Sequence, residues 1–233
     1  MMMDDVTGRK NAPRPVDLTG PAEAVIFDFD GVVVDSVELK VDAFVDMYRD
    51  HGSDVMEAVE AYQRYHGGMS RMKKFAYFEA ELLGRPADQA RIDALCAAYS
   101  ALVEEKVCSC PLIDGAYAFL ETYAGRLPFY VISGTPEAEL NRIAERRGVS
   151  KYFRRLRGSP MSKEEGIEEF LAEGPFRRDR VAMIGDAITD YDAAVATGIG
   201  FVGVAPPDVP HFFPDGTRII PNLETLARAV GHA

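Results

Sequence analysis

Several short and almost uninterrupted apolar segments, each ending abruptly at small or acidic residues, constrain the fold more than any other feature of the sequence. Segments of this kind occupy residues 24–30, 129–132, 181–184 and Gly200–Val204, and residues 218–220 form a shorter one. Strands that are apolar along their length are typical of a parallel sheet covered by helices on both faces. Helical patterns lie between them, at Ala116–Tyr123 and residues 136–147 and 163–172. This alternation predicts a doubly wound α/β domain with ligands at the carboxyl ends of its strands.

One long interval breaks the alternation. From residue 37 to about residue 107 the apolar residues follow helical spacing, and no convincing strand occurs. Some seventy residues exceed what one crossover between strands needs, so we expect an inserted helical cap domain above the carboxyl edge of the sheet. The predicted organisation is a disordered tail (1–21), an α/β core (22–36 plus 108–233) and a cap (37–107).

Charge and cysteine content limit the classes of partner. The chain has 26 Lys and Arg against 37 Asp and Glu, a formal net charge of −11, which argues against binding to nucleic acid or anionic membranes. No segment has the length of a membrane span or the apolar centre of a signal peptide, so we expect a soluble cytoplasmic protein. Cys96, Cys108 and Cys110 lack metal-binding spacing and are expected to be reduced thiols. Nothing in the sequence indicates the oligomeric state.

Polar side chains follow each apolar segment. Asp28 and Asp30 end the first, and Asp186 and Asp190 follow the third. Taken alone, each pair could be a solvated turn or the start of a helix. Together they predict a carboxylate cluster at one sheet edge, where close negative charges require a cation.

A hydroxyl and a cation complete this set. Ser133 and Gly134 precede a helix and could hold a phosphate oxygen, whereas Thr135, followed by Pro136, is better explained as a helix cap. Lys163 stands at the start of a helix, which is an unfavourable place for a cation unless carboxylates lie nearby.

In chain order, Asp28-x-Asp30, Ser133, Lys163 and Asp186-x-x-x-Asp190 resemble the four motifs of the haloacid dehalogenase-like (HAD) hydrolase superfamily. The first motif and its continuation to Asp35 and Ser36 are similar to the phosphoglycolate phosphatase and β-phosphoglucomutase branch, which also carries a helical cap. The resemblance covers roughly residues 22 to 229.

The resemblance implies a Mg²⁺-dependent phosphatase that acts on a small phosphorylated metabolite through an aspartyl-phosphate. It makes Asp28 the nucleophile and Asp30 the general acid and base. Ser133, with the amide of Gly134, would hold the phosphoryl group, and Lys163 would bridge it to the nucleophile. The metal ligands would be Asp28, the backbone carbonyl of Asp30, and Asp186, with Asp190 supporting them without binding the metal.

The cap contains a basic stretch in an otherwise acidic protein. Between Ala61 and Phe78 there are four Lys or Arg residues and no acidic residue. The segment from Gly67 to Arg71 resembles the Gly-x-Ser-Arg loop of β-phosphoglucomutase-like caps, which faces the active site. We therefore expect Arg71 and Lys74 to bind substrate, although a solvated joint between two helices would have the same pattern.

Several alternatives remain open at this stage. Asp30 argues against dehalogenases, which lack this second aspartate and need no metal. Phosphonatases use a cap lysine as a Schiff base, and Lys40, Lys73 or Lys74 leaves that possible. Where mutase relatives carry a histidine, this chain has Lys40, which favours hydrolysis over a mutase and could contact substrate or lie exposed. A non-catalytic phospho-aspartate signalling or binding protein is the alternative of another class.

Overall fold

Six strands form one parallel sheet in the computed structural model, which describes residues 13–86 and 88–232. Their order across the sheet is β3-β2-β1-β4-β5-β6. The strands are β1 (Ala24–Phe27), β2 (Phe129–Pro136), β3 (Arg155–Ser159), β4 (Val181–Gly185), β5 (Gly200–Val204) and β6 (Ile219–Ile220). The first strand in the chain lies centrally, between β2 and β4. The predicted parallel α/β architecture is confirmed.

Helices cover both faces of this sheet, as the continuous apolar strands require. Alternate side chains of β1 point to opposite faces, with Val25 and Phe27 in one apolar cluster and Ile26 in another. The core helices are α5 (Ala116–Tyr123), α6 (Glu137–Arg146), α7 (Lys163–Leu171), α8 (Ile188–Thr197) and α9 (Leu226–Ala229). Helices α5 and α6 pack on the side of Phe27, and α7 and α8 pack on the side of Ile26.

The interval between β1 and β2 forms the helical insert. It contains α1 (Val37–Met47), α2 (Ser53–Tyr65), α3 (Arg71–Tyr77), which continues as a π-helical segment (Phe78–Leu82), and α4 (Gln89–Ser109). Aromatic rings of Phe44, Phe75 and Tyr99 pack together inside it. They belong to the same apolar cluster as Phe27 of the sheet, so the insert packs directly onto the core.

Part of the predicted tail is attached to the core. Residues 1–12 lie outside the described residues, but the Val16 amide donates a hydrogen bond to the Ile199 carbonyl (3.2 Å) and the Thr19 amide to the Asp179 carbonyl (3.1 Å). Leu18 packs against Gly200 of β5. The prediction of disorder is therefore wrong for residues 16–21. The sequence there is mostly polar, but Leu18 is apolar and packs against the core.

Strand β3 is the element that apolar patterning does not delimit. Its residues alternate between half-buried and buried because it is an edge strand, and Arg155 and Arg157 extend towards Glu169 of α7. Cys96, Cys108 and Cys110 are unpaired, as expected. No helix within the described residues is long and apolar enough to cross a membrane.

Candidate active site

The polar residues that follow the apolar strands meet at the carboxyl edge of the sheet. The Asp28 amide donates to the Ile184 carbonyl (2.8 Å), which extends the pairing of β1 with β4 up to the first carboxylate. Ser162 and Glu165 form a capping box at the start of α7, with the Glu165 amide donating to Ser162 Oγ (3.2 Å). The helix therefore begins at Lys163, whose side chain lies at the same edge.

Asp28 and Lys163 are buried together at the centre of the site. Lys163 Nζ lies 3.3 Å from Asp28 Oδ2 and also forms a short ion pair with Asp190. Although burial disfavours its charge, Asp190 and Asp28 hold the pKa of Lys163 above its usual value. These two carboxylates explain why a cation stands at the unfavourable start of a helix.

Three carboxylates crowd around this lysine. Oxygen atoms of Asp28, Asp186 and Asp190 all lie within 4.8 Å of one another. Burial raises the pKa of Asp28 to about 7, with Asp190 and Asp30 acting in the same direction and Lys163 opposing them. Burial, and after it the charges of Asp28 and Asp190, hold the pKa of Asp186 well above its ordinary range. One lysine therefore does not neutralise the cluster, and its oxygen-only donor set fits a hard divalent cation.

The three carboxylates differ in the partners they already have. Asp190 uses both oxygens within the protein, because Oδ1 accepts from Lys163 and Oδ2 accepts from the Ala187 amide (3.1 Å). The Asp186 carboxylate lies against Gly31, where a Cβ atom would come within 2.4 Å of its Oδ2. Gly31 also adopts a positive φ of 75°, so both backbone and space favour glycine there.

Asp30 is held by three donors. Its Oδ1 accepts from Ser36 Oγ (2.6 Å), and its Oδ2 accepts from Thr135 Oγ1 (3.0 Å) and lies 2.6 Å from Lys40 Nζ. Burial alone would raise the pKa of Asp30, but Lys40 and the hydrogen bonds hold it below its usual value. Lys40 is thus buried and paired, and the alternative of an exposed helix residue is wrong.

The carboxyl end of β2 supplies Ser133, Gly134 and Thr135 to the cavity above the carboxylates. Ser133 is buried, and its Oγ accepts from the Thr135 amide (3.1 Å). The helix-cap interpretation of Thr135 is wrong, because Pro136 occupies the cap position and the Thr135 hydroxyl bonds to Asp30 and Lys40. The sequence pattern at a helix start does not reveal this role, because the Thr135 hydroxyl bonds to residues that are distant along the chain.

The cap lies over the carboxyl edge and forms with it a partly open cavity of about 390 Å³. The loop at Gly67 to Met69 reaches the core so closely that a Cβ on Gly68 would lie 2.2 Å from Thr189 Oγ1. A Cβ on Gly134 would lie 2.6 Å from the Gly68 carbonyl oxygen. The volume is that of a small-molecule site, and Asp28, Asp30, Ser133 and Asp186 all line it.

A haloacid dehalogenase-like hydrolase family model matches residues 22–198 of the chain. The chain belongs to this family. No curated protein matches it in sequence. Solved structures of HAD proteins share its fold, although at low sequence identity.

Three of these structures illustrate the similarity. The HAD hydrolase YfnB of Bacillus subtilis, crystallised with magnesium, is 18% identical, with a TM-score of 0.66 over 90% of this chain and 99% of its own. A predicted phosphoglycolate phosphatase from Haemophilus somnus is 15% identical, with a TM-score of 0.69 over 89% and 97%. A protein from Bacteroides vulgatus assigned as a β-phosphoglucomutase is 19% identical, with a TM-score of 0.67 over 92% and 88%.

The cap residues of this HAD hydrolase have partners that the sequence does not reveal. Arg71 lines the cavity, but its guanidinium binds Glu139 of α6. Lys74 is buried and donates to Gln63 Oε1 (2.5 Å) and the Gly67 carbonyl (2.9 Å). Both residues therefore reach the predicted place while bonding within the protein.

Sequence reasoning missed two contributors to this HAD site. Glu139 carries no local signal, because an acidic residue in the first turn of a helix is common. The other is the segment after β5, where Val209, His211 and Phe212 line the cavity and Phe212 contacts the Tyr65 ring of the cap (4.9 Å). The one signal for such a contact is that Val209 and Phe212 are large apolar side chains that remain exposed.

Proposed function

We propose that this HAD hydrolase is a Mg²⁺-dependent phosphatase that cleaves a small phosphomonoester through an aspartyl-phosphate on Asp28. The observation that carries the proposal is the buried Asp28 carboxylate, which lies 3.3 Å from Lys163 and beside two further carboxylates at the floor of the cavity beneath the cap. Its other oxygen accepts from the Phe29 amide (2.7 Å), which orients the carboxylate.

Asp28, Asp186 and the backbone carbonyl of Asp30 would hold the metal. Bound there, Mg²⁺ supplies positive charge that lets an anionic nucleophile approach an anionic phosphoryl group. Asp190 is left out of this ligand set because both of its oxygens already accept hydrogen bonds.

The remaining steps fall to side chains of this chain. Lys163, Ser133 and the Gly134 amide bind the phosphoryl oxygens while Asp28 attacks phosphorus and the bond to the leaving oxygen breaks. Asp30 gives a proton to that oxygen and later takes one from the water that hydrolyses the aspartyl-phosphate. The lowered pKa of Asp30 suits the second role, and the arriving phosphate dianion would raise this pKa towards the first.

The decisive measurement is release of p-nitrophenol from p-nitrophenyl phosphate in the presence of Mg²⁺. We expect Asp28→Asn to lower kcat by at least about a thousandfold, because the amide is a poor nucleophile. Asp93→Asn, at an exposed site on α4, is the matched control and should retain full activity. Equal activity in both variants would reject Asp28 as the nucleophile, and no turnover of any phosphomonoester would favour a phospho-aspartate signalling or binding protein.

A β-phosphoglucomutase-like phosphotransferase is less well supported. Such an enzyme must bind a sugar bisphosphate, which needs a cation for the phosphate that is not transferred. The cap arginine available for that purpose, Arg71, is already neutralised by Glu139.

A further inference from the structure

A buried ion pair joins the cap to the core next to the cavity. Arg71 Nη1 donates to Glu139 Oε2 (2.8 Å) and Arg71 Nη2 donates to Glu139 Oε1 (2.7 Å), so both carboxylate oxygens are used. The Arg71 side chain is 5% exposed and that of Glu139 is 3% exposed. Paired donors of this geometry are the arrangement by which arginine recognises any carboxylate or phosphate.

Neighbouring groups from the cap complete the environment of this pair. Ser100 Oγ donates to Glu139 Oε2 (2.7 Å), and the Tyr99 ring lies 4.8 Å below the guanidinium carbon. Arg71 therefore has a carboxylate, a hydroxyl and an aromatic face as partners although it lines the substrate cavity. An incoming anion would have to displace Glu139 and leave that carboxylate buried without a cationic partner, which is strongly unfavourable.

The other cap cations that line the cavity already have partners within the protein. Lys40 is paired with Asp30 at 2.6 Å, and Arg64 is paired with Glu38 at 2.8 Å. Lys74 bonds to two neutral oxygens, and burial, together with the nearby charge of Lys40, lowers its pKa well below the usual value. Within the described part of the cavity, the free anion-binding capacity is thus concentrated at the carboxyl edge, around Lys163.

The rest of the cavity wall is largely apolar. Phe44 and Met69 of the cap line it together with Val209 and Phe212 of the segment after β5. Such a wall accommodates the carbon skeleton of an alcohol and does not solvate a second charge.

We propose that Glu139 is a specificity-determining residue. It binds Arg71 where a second anionic group of a substrate would otherwise bind, so that the site selects phosphomonoesters of uncharged alcohols. This inference rests on the proposed phosphatase function, since it concerns the leaving group of the same reaction. It predicts discrimination against phosphorylated acids and against bisphosphates.

Two ligands of almost equal size test this selection. Phosphoglycolate and 2-hydroxyethyl phosphate differ only in a carboxylate against a hydroxymethyl group. Their Kd values are measured by calorimetry with Mg²⁺ in an Asp28→Asn background, so that the result does not require turnover. We expect the uncharged ligand to bind at least about tenfold more tightly, because a second anion finds no free cation.

The variant Glu139→Gln frees Arg71 and should reduce this preference by about tenfold or more. Its matched control is Glu104→Gln, which removes a carboxylate that also binds an arginine (Arg142, 2.8 Å) across the same seam between α4 and α6 but at an exposed position. The control should leave the ratio of the two Kd values unchanged. Because Glu139→Gln buries an unpaired cation, the double variant Arg71→Met/Glu139→Leu removes both charges, and it should keep the preference for the uncharged ligand.

Tighter binding of phosphoglycolate than of 2-hydroxyethyl phosphate by the chain with Glu139 intact would overturn the inference. The same holds if Glu139→Gln folds, as judged by its thermal transition, and leaves the ratio unchanged. If Glu139→Gln does not fold, loss of the preference in the double variant overturns it. Failure of the proposed phosphatase function is seen separately, as absence of p-nitrophenyl phosphate hydrolysis by the unsubstituted chain.

Discussion

Asp28 and Asp30 are separated by a single residue, and yet their surroundings shift their pKa values in opposite directions. Burial and neighbouring carboxylates raise the pKa of Asp28, whereas Lys40, Ser36 and Thr135 overcome the effect of burial at Asp30. Carboxylates with divergent environments are suited to different tasks in one reaction. Of these two carboxylates, Asp28 is the one whose ionised form a nearby divalent cation would stabilise more.

The raised pKa of Asp28 predicts how stability depends on pH when no divalent cation is present. Its value of about 7 exceeds the ordinary 3.8, so the folded state holds a proton that the unfolded chain releases. The contribution of Asp28 is therefore favourable at low pH and is lost as the pH rises through 7. In EDTA, Asp28→Asn should become progressively more stable than the unsubstituted chain between pH 5 and 8, by on the order of 1–2 kcal/mol.

Urea unfolding at several pH values measures this difference. Asp93→Asn, at an exposed position, should give a difference that does not vary with pH. A constant or falling advantage of Asp28→Asn as the pH rises would contradict the raised pKa.

At the scale of elements, the joint between α2 and α3 brings the cap into contact with the core. Gly67 and Gly68 are adjacent in this joint, but their surroundings leave different amounts of room for a side chain. A Cβ on Gly68 would lie 2.2 Å from Thr189 Oγ1 and 2.9 Å from Lys163 Nζ. A Cβ on Gly67 would find its nearest neighbour, the Cβ of Ala187, at 3.5 Å, an ordinary contact.

This difference predicts unequal effects of two similar substitutions. Gly68→Ala should push the joint away from Lys163 and lower kcat/KM for p-nitrophenyl phosphate by about tenfold to a hundredfold, since small misplacements at a reacting centre are costly. Gly67→Ala should keep kcat/KM within about threefold of the unsubstituted value. Steady-state kinetics with both variants, whose melting temperatures should be similar, checks this. Equal losses of kcat/KM in the two variants would show that the joint does not approach Lys163 as closely as it does in this structure.

Across the whole molecule, the acidic character of the chain has two different origins. Many of its 37 Asp and Glu residues form exposed ion pairs such as Arg178–Glu168, which contribute little to stability. The cluster of Asp28, Asp186 and Asp190 is buried and incompletely neutralised. A cation that binds only the folded chain should therefore stabilise the whole molecule.

We expect Mg²⁺ at a hundredfold its Kd to raise the melting temperature by about 5–10 °C, which corresponds to about 2.7 kcal/mol of linked stabilisation. Asp186→Asn should melt at a higher temperature than the unsubstituted chain in EDTA, because one repelling charge is gone, and should lose most of the response to Mg²⁺. Differential scanning calorimetry measures both effects, with an equal ionic strength of NaCl as the control. An Mg²⁺ response that survives in Asp186→Asn would exclude this carboxylate as a ligand.

The sheet and the acidic edge could be predicted because their signals are local. A buried parallel strand needs an apolar run, and a polar residue directly after it lies at the carboxyl edge whatever the details of packing. This reasoning placed Asp28 and Asp186 at one edge, as the structure shows, whereas Lys163 was indicated by its unfavourable position at the start of a helix. Strand β3 escaped it because an edge strand tolerates Arg155 and Arg157, whose partners lie on α7.

The amino-acid sequence by itself determined the α/β core, the helical insert and the carboxylates that meet at one edge, since periodicity and chain order suffice for these. Only the tertiary structure decided which side chains the cap cations bind. Arg71 and Glu139 are 68 residues apart, and Lys40 and Thr135 are 95 apart. Buried charges take partners according to geometry across the closed cap, and spacing along the chain does not encode that geometry. The charge of Arg71, which the sequence assigns to substrate binding, is therefore neutralised by a carboxylate of the protein itself.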